Sequence, residues 1–188
     1  MNSLILSSKN NLTNPLCIWF TGLPGSGKTT LANAFLNKLR SLGVQATSLD
    51  GDEIRKGLCA DLGFSLEDRM ENIRRVSELN KILLNNNLTV LNSFVSPTNS
   101  IRKLAQQAIG ENRFLLVFVD APLEVCMARD PKGMYKDNLN KSANNFTGLG
   151  QGFEIPEQAD LHLKTNELTI NQCVVQLMEL WNLKSMNE

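Results

Sequence analysis

The chain has 188 residues, 42% of them hydrophobic and 20% charged, the make-up of one ordinary globular domain large enough for a real core. Nineteen basic residues balance nineteen acidic ones, so no overall field favours nucleic acid or an anionic membrane, and any anion must be held by local charge. The four cysteines (Cys17, Cys59, Cys126 and Cys173) form no C-x-x-C pair or zinc spacing, and no apolar run approaches the ~18 residues of a membrane span.

Residues 1–14 are polar and rich in asparagine and read as a loosely held arm before a single domain over 15–188. Leu16 to Thr21 is apolar and has the length of one buried strand. It runs into Gly22-Leu23-Pro24-Gly25-Ser26-Gly27-Lys28-Thr29-Thr30, which fits the phosphate-binding pattern G-x-x-x-x-G-K-[ST]. Leu31, Phe35, Leu39 and Leu42 then recur at helical spacing, and Gly43 stands where a C-cap glycine belongs. Strand, glycine loop and helix are the context that the pattern needs. The glycines let backbone N–H groups curl round an anion, and the helix N-terminus adds positive potential. Lys28 is expected on the β- and γ-phosphates of ATP and the Thr29 hydroxyl on Mg²⁺.

Gln45 to Leu49 reads as a second strand ending in Asp50-Gly51-Asp52, with a short helix from Asp52 to Leu58. Two carboxylates beside a phosphate site suit a metal partner and a general base, and Asp52 equally suits the N-cap of its helix. Ser65-Leu66-Glu67-Asp68 resembles a capping box and opens a long helix to about Asn86, with Met70, Ile73, Val76, Leu79 and Leu83 on one face. Arg69, Asn72 and Arg75 share another face. With Arg55 they fit an anion clamp, and equally fit surface ion pairs with Glu67, Glu71 and Glu78. A third strand runs from Thr89 toward Phe94, and Ser96-Pro97 turns into a helix ending near Gly110. Phe114 to Val119 is a buried strand closed by Asp120, and Pro122 suits the first residue of the next helix.

From Asp130 to Pro156 periodicity fails among glycines, and a loop of that length is expected to be a functional lid. Leu161 to Lys164 is a last short strand. Thr169 to Gln172 is a capping box, with Leu168 and Cys173 as a staple, opening a helix that faces Val174, Leu177 and Trp181 inward. Strands alternating with helices predict an α/β fold: a parallel sheet covered by helices on both faces, with ligands beyond the carboxyl ends of its strands. That rule selects the glycine loop, Asp50, Asp52, Ser93 to Ser96 and Asp120.

Leu49-Asp50-Gly51-Asp52, Arg55, Gly57-Leu58, Leu62-Gly63-Phe64-Ser65, Asp68-Arg69 and Glu71 to Arg75 together resemble the adenylylsulfate kinase (APS kinase) family of P-loop kinases. The likeness continues through Phe94 to Pro97, Val119 to Cys126, Arg129-Asp130, Lys132-Gly133 and Phe146-Thr147-Gly148, and covers roughly residues 16 to 165. It implies a five-stranded parallel sheet and phosphorylation by ATP of the 3′-hydroxyl of adenosine 5′-phosphosulfate (APS), giving 3′-phosphoadenosine 5′-phosphosulfate. By the same likeness, Phe64 and Phe146 sandwich the acceptor adenine, while Arg55, Arg69 and Asn72 hold phosphosulfate and ribose. Val95, Ser96 and Thr147 belong to the acceptor site, and Lys132 reaches it from the lid. Asp52 accepts the hydroxyl proton, Asp50 helps to organise Mg²⁺, and Arg129 stacks on the ATP base. Ser96 has no activating base near it in sequence and is expected to position substrate rather than carry phosphate. A homodimer, a possible association with a sulfurylase and a reducing cytoplasm are the implied setting.

The lid departs from the family's basic pattern, with Asp137 and Leu139 in place of a lysine and an arginine, and Gly150, Gly152 and Phe153 after the Phe146-Thr147-Gly148 triplet. That departure motivates an alternative acceptor such as cytidine diphosphoramidate. A nucleotide-binding module without turnover is a further alternative, opposed by the intact Lys28, Thr29, Asp50 and Asp52.

Overall fold

The computed structural model describes residues 14–139, 147–150 and 152–185. Phe146, most of the predicted arm and part of the predicted lid lie outside the described residues. Five strands, β1 (Cys17–Thr21), β2 (Ala46–Asp50), β3 (Thr89–Ser93), β4 (Phe114–Asp120) and β5 (Leu161–Lys164), form one parallel sheet in the order β2-β3-β1-β4-β5. β1 is central: Cys17 is level with Val90 on one side and Phe114 on the other. Strands buried on both faces need no polar alternation, and β1 and β3 are buried throughout.

The helices divide between the two faces. Helices α1 (Lys28–Ser41) and α7 (Ile170–Ser185) cover one face, where Phe35 and Leu39 pack with Val117, Leu163 and Trp181. Helices α3 (Leu66–Asn85) and α4 (Asn99–Ile109) cover the other, where Ile73, Val76 and Ile101 pack with Trp19, Val90 and Phe114. α1 ends through Gly43 at φ 82, with Val44 N–H bonded back to the Leu39 carbonyl, a closure that needs a left-handed residue. Leu42 therefore belongs to the turn, not the buried stripe, and is 53% exposed. On α3 the inward face differs from the apolar reading. Met70 is exposed, and Asn72, Ser77 and Asn80 are buried beside Ile73 and Val76. Asn80 and Asn92 exchange amide hydrogen bonds at 2.9 and 2.8 Å, so a polar pair can join α3 to β3 without unsatisfied groups.

Helix boundaries bring further corrections. α2 spans Gly51–Lys56, and its N-cap is Asp50, whose carboxylate accepts from the Asp52 N–H, so Asp52 is not the cap. α5 spans Leu123–Arg129 with Pro122 as its N-cap rather than its first residue. The stretch read as aperiodic contains a sixth helix, α6 (Met134–Leu139). Asp130 accepts from the Tyr135 and Lys136 N–H groups, and the Tyr135 hydroxyl donates to the Pro24 carbonyl at 2.9 Å. The predicted caps at Ser65 and Thr169 are present, each with its side chain on the N–H three residues on.

Candidate active site

A cleft of about 1020 Å³ lies at the carboxyl ends of β1, β2 and β3. Its floor is the glycine loop. A Cβ on Gly22 would meet the Val119 carbonyl oxygen at 2.2 Å, and one on Gly25 would meet the Cys126 carbonyl oxygen at 2.7 Å. Only glycine lets this loop lie so close to β4 and α5. Gly27, left-handed at φ 105, leads into α1, whose first turn holds no acidic residue and no side-chain cap. Its N–H groups are left to an anion. Gly22, Leu23 and Ser26 build the loop from behind, while Pro24, Gly25, Gly27, Thr29 and Thr30 reach the cleft surface.

Lys28 lies almost buried on the loop, its Nζ donating to the Gly22 and Leu23 carbonyls at 2.9 and 2.8 Å. Burial pulls its ammonium down to about 8, against the opposing pull of Cys126, Asp50 and Asp52. Thr29 Oγ1 donates to Asp50 Oδ2 at 2.7 Å, so the two predicted metal-binding oxygens are already adjacent. On the side toward α5, the Arg129 guanidinium donates to Thr165 Oγ1 and the Thr165 carbonyl, at 3.0 and 2.7 Å. Thr165 in turn donates to the Ser26 carbonyl at 2.7 Å. Thr165 went unnoticed in the sequence, because its partner is far away in the chain.

The opposite wall gathers the predicted acceptor residues. Phe64 is 55% exposed, with the Arg55 and Arg69 guanidiniums 4.5 and 5.6 Å from its ring centre. Arg55 Nη1 donates to the Gly63 carbonyl and Arg69 Nε to the Phe64 carbonyl. Burial lowers both guanidinium pKa values, and for Arg69 the like charge of Arg55 adds to the effect. Two cations pressed together beside an aromatic face favour a bound anion. Asn72 lines the same wall, 2% exposed, with its side-chain amide nitrogen unpaired. Thr147 is likewise buried, lines the cleft and has an unpaired hydroxyl. Arg75 does not join them: it clamps Asp61 and Glu71 outside the cleft.

Between the two halves stands Asp52, half exposed and ion-paired with Lys132 across the cleft. Val95 and Ser96 line the back. Ser96 adopts φ 42, and its hydroxyl accepts from the Trp19 indole N–H at 3.0 Å. Asp120 departs from the strand-end expectation. Its carboxylate turns to His162 Nε2 at 2.8 Å, on a ring stacked against Phe118, and it does not line the cleft.

The description "Adenylylsulphate kinase" belongs to the family model that matches residues 14–164. The adenylyl-sulfate kinases of Klebsiella pneumoniae and Escherichia coli are each 49% identical over 163 residues, which is 87% of this chain and 81% of theirs. Among solved structures, the APS kinase of Mycobacterium tuberculosis in complex with AMPPNP and APS superposes with TM-score 0.86 at 37% identity. It covers 90% of this chain and 99% of that one. A Sinorhizobium meliloti gluconokinase, at 15% identity and TM-score 0.63 over 92% of this chain and 95% of its own, shares the fold alone.

Proposed function

We infer the reaction from one premise: this chain belongs to the adenylylsulfate kinase family. It uses ATP to phosphorylate the 3′-hydroxyl of adenosine 5′-phosphosulfate, giving 3′-phosphoadenosine 5′-phosphosulfate and ADP. The observation that carries this reading is one continuous cleft. It joins a phosphate loop to a wall of exposed aromatic and paired guanidiniums, with a carboxylate between them.

The roles follow from the chemistry of each group. Backbone N–H groups of the loop, with Lys28 released from its two carbonyls, hold the β- and γ-phosphates. Thr29 and Asp50 offer hard oxygens side by side beside that loop, which fits Mg²⁺, an ion that takes few protein oxygens and completes its shell with phosphate and water. Thr29 and Asp50 would hold Mg²⁺ there, and the ion would supply charge neutralisation for the transferred group. Arg129, fixed by Thr165, lays its guanidinium along the ATP base. On the acceptor side, Phe64 stacks on the adenine, and Phe146 is proposed as its second face from the resemblance alone. Arg55 and Arg69 take the phosphosulfate, and the unpaired Asn72 amide and Thr147 hydroxyl meet acceptor oxygens. Asp52 accepts the 3′-hydroxyl proton, and Lys132 holds its carboxylate in place across the cleft while adding positive charge near the phosphates. Ser96 shapes the back wall: its hydroxyl is engaged by Trp19, and among the described residues no base is hydrogen-bonded to it.

We further propose one kinase domain over 15–188, a lid over about 130–156, a homodimer, association with a sulfurylase and residence in the cytoplasm, where its four cysteines stay reduced. Among the described residues no helix is long and apolar enough to cross a membrane. The test is coupled ADP release with ATP and Mg²⁺, comparing APS, cytidine diphosphoramidate and no acceptor. ADP release that requires APS supports the reading. Preference for the cytidine compound, or release without any acceptor, overturns it.

A further inference from the structure

The residue that the motif reading left out is Arg102, on the first turns of α4. It is 3% exposed, an unusual fate for a guanidinium, and none of its hydrogen bonds among the described residues is to a carboxylate. Nη1 donates to the Ser96 carbonyl at 2.7 Å. Nη2 donates to Asn99 Oδ1 at 2.6 Å and to the Glu154 carbonyl at 2.7 Å. Among the described residues its buried Nε has no hydrogen-bond partner, and its Cζ lies 5.5 Å from the Phe153 ring centre. Glu154 is held a second way: its side chain accepts from the Asn99 N–H at 2.6 Å, and its own N–H donates to the Pro97 carbonyl at 2.8 Å.

These contacts converge on the back wall of the cleft. Ser96 carries a positive φ, which a residue with a Cβ keeps only when its surroundings over-determine it. Three groups do so: Trp19 on its hydroxyl, Thr21 on its carbonyl and on that of Val95, and Arg102 on the Ser96 carbonyl. Trp19 and Thr21 belong to β1 and are as fixed as the sheet. Arg102 is the member that also grips a separate stretch of chain, the segment around Glu154. A burial that neutral packing could replace at lower desolvation cost is retained where two backbone strands must be held together.

We propose that Arg102 is a positioning residue for the acceptor. It locks the Val95-Ser96 wall to the 153–157 segment, so that the 3′-hydroxyl is held against Asp52 in one orientation. The proposal rests on the APS kinase reading for its acceptor, but not for its geometry. Arg102 touches neither nucleotide's phosphate loop, so its loss falls on the acceptor half of the reaction.

The test uses the full chain and the variants Arg102→Met, which keeps the length and loses every donor, and Arg102→Lys, which keeps the charge and reaches fewer carbonyls. For Arg102→Met, kcat/KM for APS falls about 10- to 100-fold, the scale set by ångström misplacement of a reactant. The Kd for ATP without acceptor stays within about twofold, since the phosphate-loop contacts are untouched. Arg102→Lys falls between wild type and Arg102→Met. If Arg102→Met does not fold, Arg102→Lys and Asn99→Ala, which removes one Nη2 partner, carry the same comparison. Equal losses for ATP and APS, or unchanged kinetics in a folded variant, overturn the proposal. Emission of Trp19 in a Trp181→Phe background reads the wall without any acceptor. It shifts in Arg102→Met even if wild type fails to phosphorylate APS, which separates failure of the acceptor reading from failure of the wall; no shift overturns the wall.

Discussion

A buried lysine held by two carbonyls makes the glycine loop sensitive to pH before any nucleotide arrives. Lys28 titrates near 8 in the folded chain and near its ordinary 10.5 when unfolded. Between those values the unfolded chain binds more protons, so raising pH stabilises the folded form through this residue. Lys28→Met lacks that contribution. Its stability relative to wild type is therefore expected to fall as pH rises from 8 to 10.5, as read by denaturant titration at several pH values. Its turnover is expected to be lost at every pH, because no methionine can neutralise developing phosphate charge. Asp52 makes a different prediction. Its carboxylate is half exposed and paired with Lys132, so Asp52→Asn leaves the wall of Arg55, Phe64 and Arg69 in place. A fall in kcat of about 10²–10⁴-fold with little change in APS affinity is the outcome expected of a lost base. A change confined to affinity would move the base elsewhere.

Caps decide where the short elements begin and, through them, where the site residues point. Ser65 accepts from the Asp68 N–H at the start of α3, and the next turn sends Arg69 back to the Phe64 carbonyl. Ser65→Ala should cost about 1 kcal/mol of stability. It should also raise KM for APS while leaving ATP affinity alone, since fraying moves Phe64 and Arg69 together; thermal melts and calorimetric titration of both nucleotides check the two halves. This cap could be read from sequence because its donor and acceptor are three residues apart. The capping box at Thr169 was legible for the same reason. In Asp50-Gly51-Asp52 the sequence points to Asp52 as the cap, whereas the fold gives that role to Asp50, whose carboxylate accepts from the Asp52 N–H. Helix α6 escaped because six residues are too few for a period and its anchor, Tyr135 on Pro24, is tertiary. Arg102 and Thr165 escaped likewise: their partners include backbone carbonyls, which carry no side-chain signature, and the Ser26 carbonyl lies 139 residues from Thr165. The glycine loop, Asp52, Arg55 and Phe64 were legible because each sits in a short run with its own chemistry.

At the scale of the molecule, the strand order places the cleft where the chain leaves β1 for opposite sides of the sheet, with β3 on one flank and β4 on the other. On the proposed roles, the two nucleotide halves of the cleft rest on different elements, α1 and α5 for the donor and α2 and α3 for the acceptor. A non-hydrolysable ATP analogue and APS should each stabilise the protein on their own. Either one at 100 times its Kd adds about 2.7 kcal/mol. Scanning calorimetry with each ligand separately checks this; a chain stabilised by one and indifferent to the other has only half of the cleft described.

The placement of β1 at the centre of the sheet has a further consequence, for the order of synthesis. Its residues Cys17 to Phe20 are fully covered only when Phe114 to Val117 pair beside them, about a hundred residues later on the ribosome. At 5–20 residues per second, that leaves an apolar strand waiting roughly 5–20 s for its second neighbour. The face beneath α1 waits longer still, since Cys173, Leu177 and Trp181 of α7 complete it. Nascent chains of this protein are accordingly expected to be chaperone clients until α7 emerges, and slowing translation should lengthen that exposure rather than ease folding.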